Sequence, residues 1–440
     1  MPLKEMQFAG DYQLENILVH APTSNGGLDI KNLMLEMNVY QSIFSPTLTG
    51  ALTIADSANH LQNVPFIGQE ELEFKFGIPD NDLVNFTKHR ARVTKISNVT
   101  RTEERQQVYT INFTTKEFVK NLRNKLTKSY KGAADQIITE ILNDTLTTRK
   151  NIKAEATRQR LQLLGNNMSP FDFCSMVARR SSSRDFKSSG LLFYESHFGY
   201  NLRSFGALST QGEKIEYFVN PTDDRVTNRD IQKILEYKVM KTQDVLAHIK
   251  TGLLGSTHYT YDINEKRYST KTQKYFDSFT DTPFHTDRKP IYSQTPEDES
   301  GKRIDDFDKA SISYSTSSPY LFTTSATDTT DYSNTSNLTP DRIYTSLSND
   351  AFTVKCTVPG NSVLGAGDVV ILNLPSLDPI PKNTPNSKVY DRYLSGRYIL
   401  TNVVHTLSPT SYSTTFDCVK DSVPINYLSS TTPREVIGRL

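Results

Sequence analysis

Phe352-Thr353-Val354-Lys355-Cys356-Thr357-Val358 alternates apolar and polar side chains, and a Gly365-Ala366-Gly367-Asp368 turn then opens into Val369-Val370-Ile371-Leu372. Gly396-Arg397-Tyr398-Ile399-Leu400 next runs into Val403-Val404-His405, and Tyr412 to Val419 reads as its hairpin partner. Period-two patterning bounded by Gly, Pro and Asn marks half-buried strands. In this hairpin Tyr398, Leu400 and Val403 are expected to pack against Tyr412, Phe416 and Cys418, with Val403-Val404 marking a bulge that shifts the register. A similar block occupies the other end, from about Asp29 to Phe113. There Leu33, Leu35, Met37 and Val39 alternate, and Leu52 and Ile54 follow a turn at Pro46 and Gly50. Leu72, Phe74 and Phe76 alternate again, as do Tyr109, Ile111 and Phe113. Two such modules imply a protein built for geometry; the plainer reading is two ordinary β domains.

Between the blocks the period changes. Thr114-Thr115-Lys116-Glu117 places Thr three residues before Glu, the pattern of a capping box, ahead of Phe118, Val119, Leu122 and Leu126. A second helix is expected from about Ala133 to Leu142, with Ala134, Ile137, Ile138, Ile141 and Leu142 on one face. Ser169-Pro170 reads as an N-cap with proline at the first helical position, and Phe173, Cys174 and Val177 as that helix's buried stripe. A hairpin follows, Leu191 to Tyr194 and Tyr200 to Arg203 around His197-Phe198-Gly199. Strands return between Ile231 and Tyr261, through Ile234, Tyr237 and Val239 and from Gly255 onward. The stretch from about Tyr268 to Asp350 is rich in Ser, Thr, Tyr and Asp and poor in aliphatic residues, increasingly so from Ser311. It cannot bury much core by itself, so it is an insertion lying on the surface or ordered by neighbours.

Composition narrows the function. A length of 440 residues favours two to four domains. A net charge of +1 removes the electrostatic case for nucleic acid as main ligand. The basic clusters Arg149-Lys150 with Lys153, and Arg179-Arg180 with Arg184, read as solvated surface beside Asp144, Glu155 and Asp185. Cys174, Cys356 and Cys418 are too few and scattered for a disulfide framework or zinc site, which points to folding in a reducing compartment. No run approaches the roughly 18 apolar residues of a membrane span, and Met1-Pro2-Leu3-Lys4-Glu5 lacks a signal peptide's apolar core. A soluble chain made in a cytoplasm is expected.

No catalytic, cofactor-binding or metal-binding residues are assigned. Gly365 to Asp368 is too short for a phosphate cradle and leads into a strand. The eight histidines show no metal-ligand spacing; His258 and Asp262, four apart, read as a strand residue and one at its exit, and His405 as a strand histidine packed or hydrogen-bonded at a barrel edge. No GxSxG occurs, and Cys174 falls on a buried helix face. In Glu70-Glu71-Leu72-Glu73 the two carboxylates of Glu71 and Glu73 share one strand face, where solvated charge is the simpler reading than a glycosidase pair.

Three segments, in order, resemble the baseplate hub family of contractile phage tails, the ring protein beneath the tail tube of T-even-type myophages, and the corresponding part of type VI secretion spike proteins. The first is Met37-Asn38-Val39-Tyr40-Gln41-Ser42-Ile43-Phe44-Ser45-Pro46 through Gly50 to Asp56, then Pro65 to Glu70. The second is Leu192 to Ser196 with Gly199 to Ser204, and the third Gly396 to Ile399 with Val404-His405 and Tyr412. The resemblance implies a mainly β chain with α+β parts: two tube-type antiparallel β-barrels, a small α/β domain and an extended insertion. Its expected divisions are a first barrel over 1–117, a mixed α/β domain over 118–228, and a second, discontinuous barrel over 229–267 and 350–424. The insertion then covers 268–349 and a C-terminal tail 425–440. It further implies a homotrimer whose six barrels form a pseudo-six-fold ring between the hexameric tail tube protein and the trimeric central spike protein. Baseplate wedge proteins are implied as neighbours, DNA passes only transiently through the channel, and there is no cofactor and no membrane anchor. The implied location is the virion. A phage-borne or secreted glycan-binding or glycan-cleaving protein is the alternative, motivated by the tyrosines and the Ser/Thr-rich loop. A secretion-system spike would carry a β-helical needle, which is not expected after Val419 in a chain ending at Leu440.

Overall fold

The computed structural model describes residues 10–22, 26–58, 60, 67–78, 84–103, 106–158, 160–186, 188–219, 231–263, 266–282, 284–296, 301–317, 332–376 and 390–425. The chain is mainly β. Thirteen strands join in one sheet. In chain order they are β1 (Leu18–His20), β2 (Gly27–Asp29), β3 (Met34–Ser42), β4 (Thr49–Asp56), β5 (Glu71–Glu73), β6 (Ala91–Glu103) and β7 (Gln106–Thr114). Then come β8 (Ile215–Phe218), β9 (Glu236–Thr242), β10 (Phe352–Pro359), β11 (Val369–Asn373), β12 (Gly396–Leu407) and β13 (Tyr412–Lys420). The order across the sheet is β9-β10-β13-β12-β3-β4-β7-β6-β5-β1-β2, with β11 also on β12 and β8 parallel to β11.

Strand β12 joins the two ends of the sequence. Along one edge its first residues pair with β11, Val369 opposite Ile399, and its last pair with β3, Val404 opposite Tyr40. Along the other edge it pairs with β13 from Ile399 to Leu407, but the register shifts between Leu400 and Asn402. The bulge therefore lies at Thr401, not at Val403-Val404. Thr401 sits where β12 changes partner, and its carbonyl accepts Ile43 N–H at 2.9 Å. An extra residue there bends the strand toward a new neighbour.

Two cores flank this strand. The first is built on Met37, Val39, Leu52, Ile54, Phe74, Phe76, Tyr109, Ile111 and Phe113, and takes Leu407 and Tyr412 from the hairpin. The second is built on Val354, Cys356, Val358, Val370 and Leu372, with Tyr398, Leu400, Val403, Phe416 and Cys418. Val403 faces Phe416 and Leu400 faces Cys418, as the alternation predicts, but Tyr412 packs in the first core. The hairpin is long enough to span both.

Other departures have local causes. Leu35 is 45% exposed, because the β3–β4 register shifts between Met34 and Glu36 and returns Met34 to the core in its place. Gly50 lies inside β4, not in a turn; a Cβ there would sit 2.1 Å from the Phe113 ring. The helix Lys116–Arg123 is capped by no side chain, and it buries Glu117 and Asn121 while Leu122 stays 63% exposed. The two threonine hydroxyls are engaged elsewhere, Thr114 at Leu48 O and Thr115 at Glu195. By contrast Ser169 does cap Pro170–Arg179, and the Ala134–Glu140 helix buries its expected apolar face. The three cysteines are free and buried.

Strand Gly255–Asp262, expected beside the second core's strands, pairs instead with Arg267–Lys274 and, in parallel, with Ile312–Ser317. The helix Val245–Thr251 before it was not anticipated. The insertion is ordered by its neighbours: Tyr275, Phe276, Ile291, Tyr292 and Tyr344 enter the second core. Aromatics do there what aliphatic residues do elsewhere. The Ser/Thr-rich stretch 318–331, the segment Pro65-Phe66 and the tail beyond Ile425 lie outside the described residues.

Candidate functional site

The most constrained polar cluster joins the α/β region to the first β unit. Glu195, on the strand Leu192–Ser196, is fully buried. Its Oε2 accepts Leu48 N–H at 3.1 Å and the Thr115 hydroxyl at 3.0 Å, while Oε1 receives Lys150 Nζ at 2.5 Å. Lys150 also donates to Glu117 Oε2 at 2.8 Å, and Thr148 donates to the other oxygen of Glu117 at 2.9 Å. Lys150 was expected on a solvated surface; its side chain is only 10% exposed. Arg149, Arg179, Arg180 and Arg184 are exposed as expected.

One ammonium thus serves two buried carboxylates. Burial pushes the Lys150 amine down, but Glu195 and Glu117 outweigh it and hold the group charged. Burial likewise pushes Glu117 up, yet Lys150 and the hydrogen bonds leave it below its ordinary value. For Glu195 burial prevails and its pKa is raised. Glu117 and Glu195 share the Lys150 ammonium, so proton uptake belongs to the cluster as a whole. The cluster ties chain segments near residues 48, 115, 150 and 195 in place. Breaking such a pair from one side is strongly destabilising. Its sequence signal was a lone acid inside the apolar strand Leu192-Phe193-Tyr194-Glu195.

The groups screened for chemistry are held structurally. Glu70 is buried and accepts the Ile67 and Gly68 N–H groups. Glu71 pairs with Arg92 on the neighbouring strand and with Lys116 on the following helix, and Glu73 with Arg90 and the His20 ring, so these carboxylates are held by structural partners. His258 contacts the Ser313 and Ser315 hydroxyls at 2.6 and 2.9 Å. Among the described residues no group of three His, Cys, Asp or Glu side chains is placed to hold a metal ion. His405 is fully buried, with the Tyr412 hydroxyl 2.8 Å from Nδ1, and burial pushes its pKa down to about 4. Among the described residues no helix is long and apolar enough to cross a membrane.

Surfaces suited to assembly are prominent. Strand β9 ends the sheet and leaves Tyr237 and Met240 exposed, and the helix after it presents Leu246, 79% exposed. An unpaired strand edge with apolar residues invites another chain. A cleft of about 700 Å³ lined by Phe44, Arg179, Met240, Arg342, Asn402 and Asp417 opens nearby, with Phe44 65% exposed.

Comparison with known proteins agrees with this architecture. The chain is 21% identical over 439 residues to a probable baseplate hub protein of the Vibrio phage KVP40, covering 93% of this chain and 95% of the relative. Its fold matches a tail protein from Neisseria meningitidis MC58 with a TM-score of 0.53 at 10% identity, over 93% of this chain and 97% of the other. It matches the 43 kDa tail protein of prophage MuSo2 from Shewanella oneidensis with a TM-score of 0.52 at 9% identity, over 93% and 100%. No family model matches the sequence.

Proposed function

We propose, from the premise that this chain belongs to the baseplate hub family of phage tails, that three copies form the ring joining tail tube to central spike. A structural role in the tail baseplate is supported by likeness to a hub protein over nearly the whole length of both chains. In this reading the long sheet curls around its two cores as two tube-type barrels, with divisions near those set out above except that Gly255–Asp262 goes with the sheet of the insertion. Three subunits then offer six barrels, which suit a six-fold tube on one face and a three-fold spike on the other, around a channel that DNA crosses. The observation that carries it is strand β12, which serves both cores at once and fixes one barrel against its neighbour within each subunit. Closed rotational symmetry is the common way to cover open edges such as β9. Contacts with tube and wedge proteins follow from the same ring.

The chain acts without catalysis in this reading, since the screened carboxylates and histidines serve as structural partners. Sedimentation and electron microscopy of the protein alone and with its spike should give a trimeric ring. A stable monomer under both conditions would overturn the ring. Clear lysis of peptidoglycan by the pure chain in zymograms would overturn the non-enzymatic role.

A further inference from the structure

The tyrosines that the hub reading leaves unused gather on one face of the insertion sheet. Register places Thr257, Tyr259 and Tyr261 of the central strand on one side, with Tyr268, Thr270 and Thr272 opposite them on one neighbour. Ile312, Tyr314 and Thr316 lie opposite on the other neighbour. Tyr259 stacks on Tyr314 at 5.2 Å and 16°, and Tyr261 meets Tyr268 at 4.8 Å. The rings on the outer strands are open: Tyr268 is 69% exposed and Tyr314 75%.

The reverse face is different. His258, Thr260 and Gln273 are buried there, and Lys271 pairs with Asp341 of the helix Tyr332–Ser348 at 2.6 Å. That face is covered; on the tyrosine face Thr257 is buried, its hydroxyl donating to Asp308 O at 3.0 Å, and the part left open lies over Tyr268, Thr270, Thr272, Ile312, Tyr314 and Thr316. At the paired positions of the described strands the side chains of this face are aromatic rings and threonine hydroxyls, with one aliphatic residue, Ile312. The charged group of the same parity, Lys274, lies at the far end and is engaged by Asp306 at 2.9 Å.

This chemistry selects a ligand. With Lys274 engaged by Asp306, the described strand positions of this face leave no free cation to neutralise a phosphate backbone. Rigid aromatic rings bearing hydroxyls present an apolar body and a polar tip. A pyranose has the complementary pair, a C–H face and a rim of hydroxyls. We propose that this face of the insertion binds a neutral glycan chain, its sugar rings stacked on Tyr268 and Tyr314 and its hydroxyls bonded to the threonines and tyrosine tips. The site is independent of the ring-forming role and adds surface recognition to it.

The test is titration calorimetry of the full chain with maltohexaose, chitohexaose and a panel of neutral hexose oligomers. At least one should bind, with affinity falling tenfold or more in the Tyr268→Ala/Tyr314→Ala double variant. The Tyr268→Phe/Tyr314→Phe variant, which keeps the rings, should retain most of it. Both substitutions are on exposed side chains, and circular dichroism should show an unaltered fold. Absence of binding across the panel, or binding indifferent to the alanine pair, would overturn the proposal. So would an alanine pair that changes the sedimentation of the ring, which would make the face a protein contact.

Discussion

The two cores of the long sheet are built from similar strands but from very different spans of chain. The first draws nearly everything from Leu14 to Phe113, in antiparallel neighbours from one span of chain, and borrows Leu407 and Tyr412. The second reaches from Tyr217 to Val423 and admits five aromatic or aliphatic residues of a long insertion, Tyr275, Phe276, Ile291, Tyr292 and Tyr344. A core of local strands closes short loops. A core of scattered strands must close long ones, and its order depends on every segment that returns to it. The difference teaches that the walls of a β core need not be sequence-contiguous, provided one hairpin stitches them together.

The comparison can be broken most directly at the joint. Lys150→Met should cost about 3–5 kcal/mol, because it leaves Glu117 and Glu195 buried without their cation. Urea denaturation should show it; a loss below about 1 kcal/mol, typical of an exposed pair, would show that the cluster is solvated. Phe416→Ala should cost roughly 3–5 kcal/mol as a large cavity beside Tyr217. The shared hairpin predicts that this second-core lesion lowers a single transition for both cores. Two separate transitions, with the first unmoved, would mean that the cores are independent.

Acid should distinguish two histidines. His405 lies at the seam with its pKa depressed to about 4. The unfolded chain therefore takes up the proton first, and stability present above about pH 6.5 falls by roughly 3 kcal/mol as pH drops through that window. For His285 burial pushes the pKa down, but Asp421, 2.7 Å away, outweighs it and raises the value. Its contribution is full below the unfolded value and is lost as pH rises through the raised one. Melting temperature against pH should thus lose its acid slope in His405→Gln and its alkaline slope in His285→Gln. Identical profiles in both variants would remove the contrast. The smallest effect belongs to the α/β region, where Ser169→Ala should cost about 1 kcal/mol of helix capping, read from the denaturation midpoint.

Strict alternation made much of this fold legible. Phe352 to Val358, Tyr109 to Phe113 and Tyr412 to Cys418 face as their periods require. What escaped reading depends on distant partners. Leu35 turns outward because a bulge is set by β4, and Leu122 is exposed because polar Asn121 holds Phe171 N–H at 2.7 Å. Lys150 looked like surface because its two acids are 33 and 45 residues away. The insertion looked coreless because its contribution is aromatic and its host is elsewhere in the chain.

The partner change along β12 also sets a timetable. Strand β3 is made early, yet its neighbour on one side is residues 402–407. During synthesis the first core therefore waits with an open edge and an unfilled place for Tyr412 until most of the polypeptide has left the ribosome. A chain stalled or cleaved before residue 396 exposes that edge, so the unit that looks most self-sufficient in sequence is the one a truncated product would leave sticky.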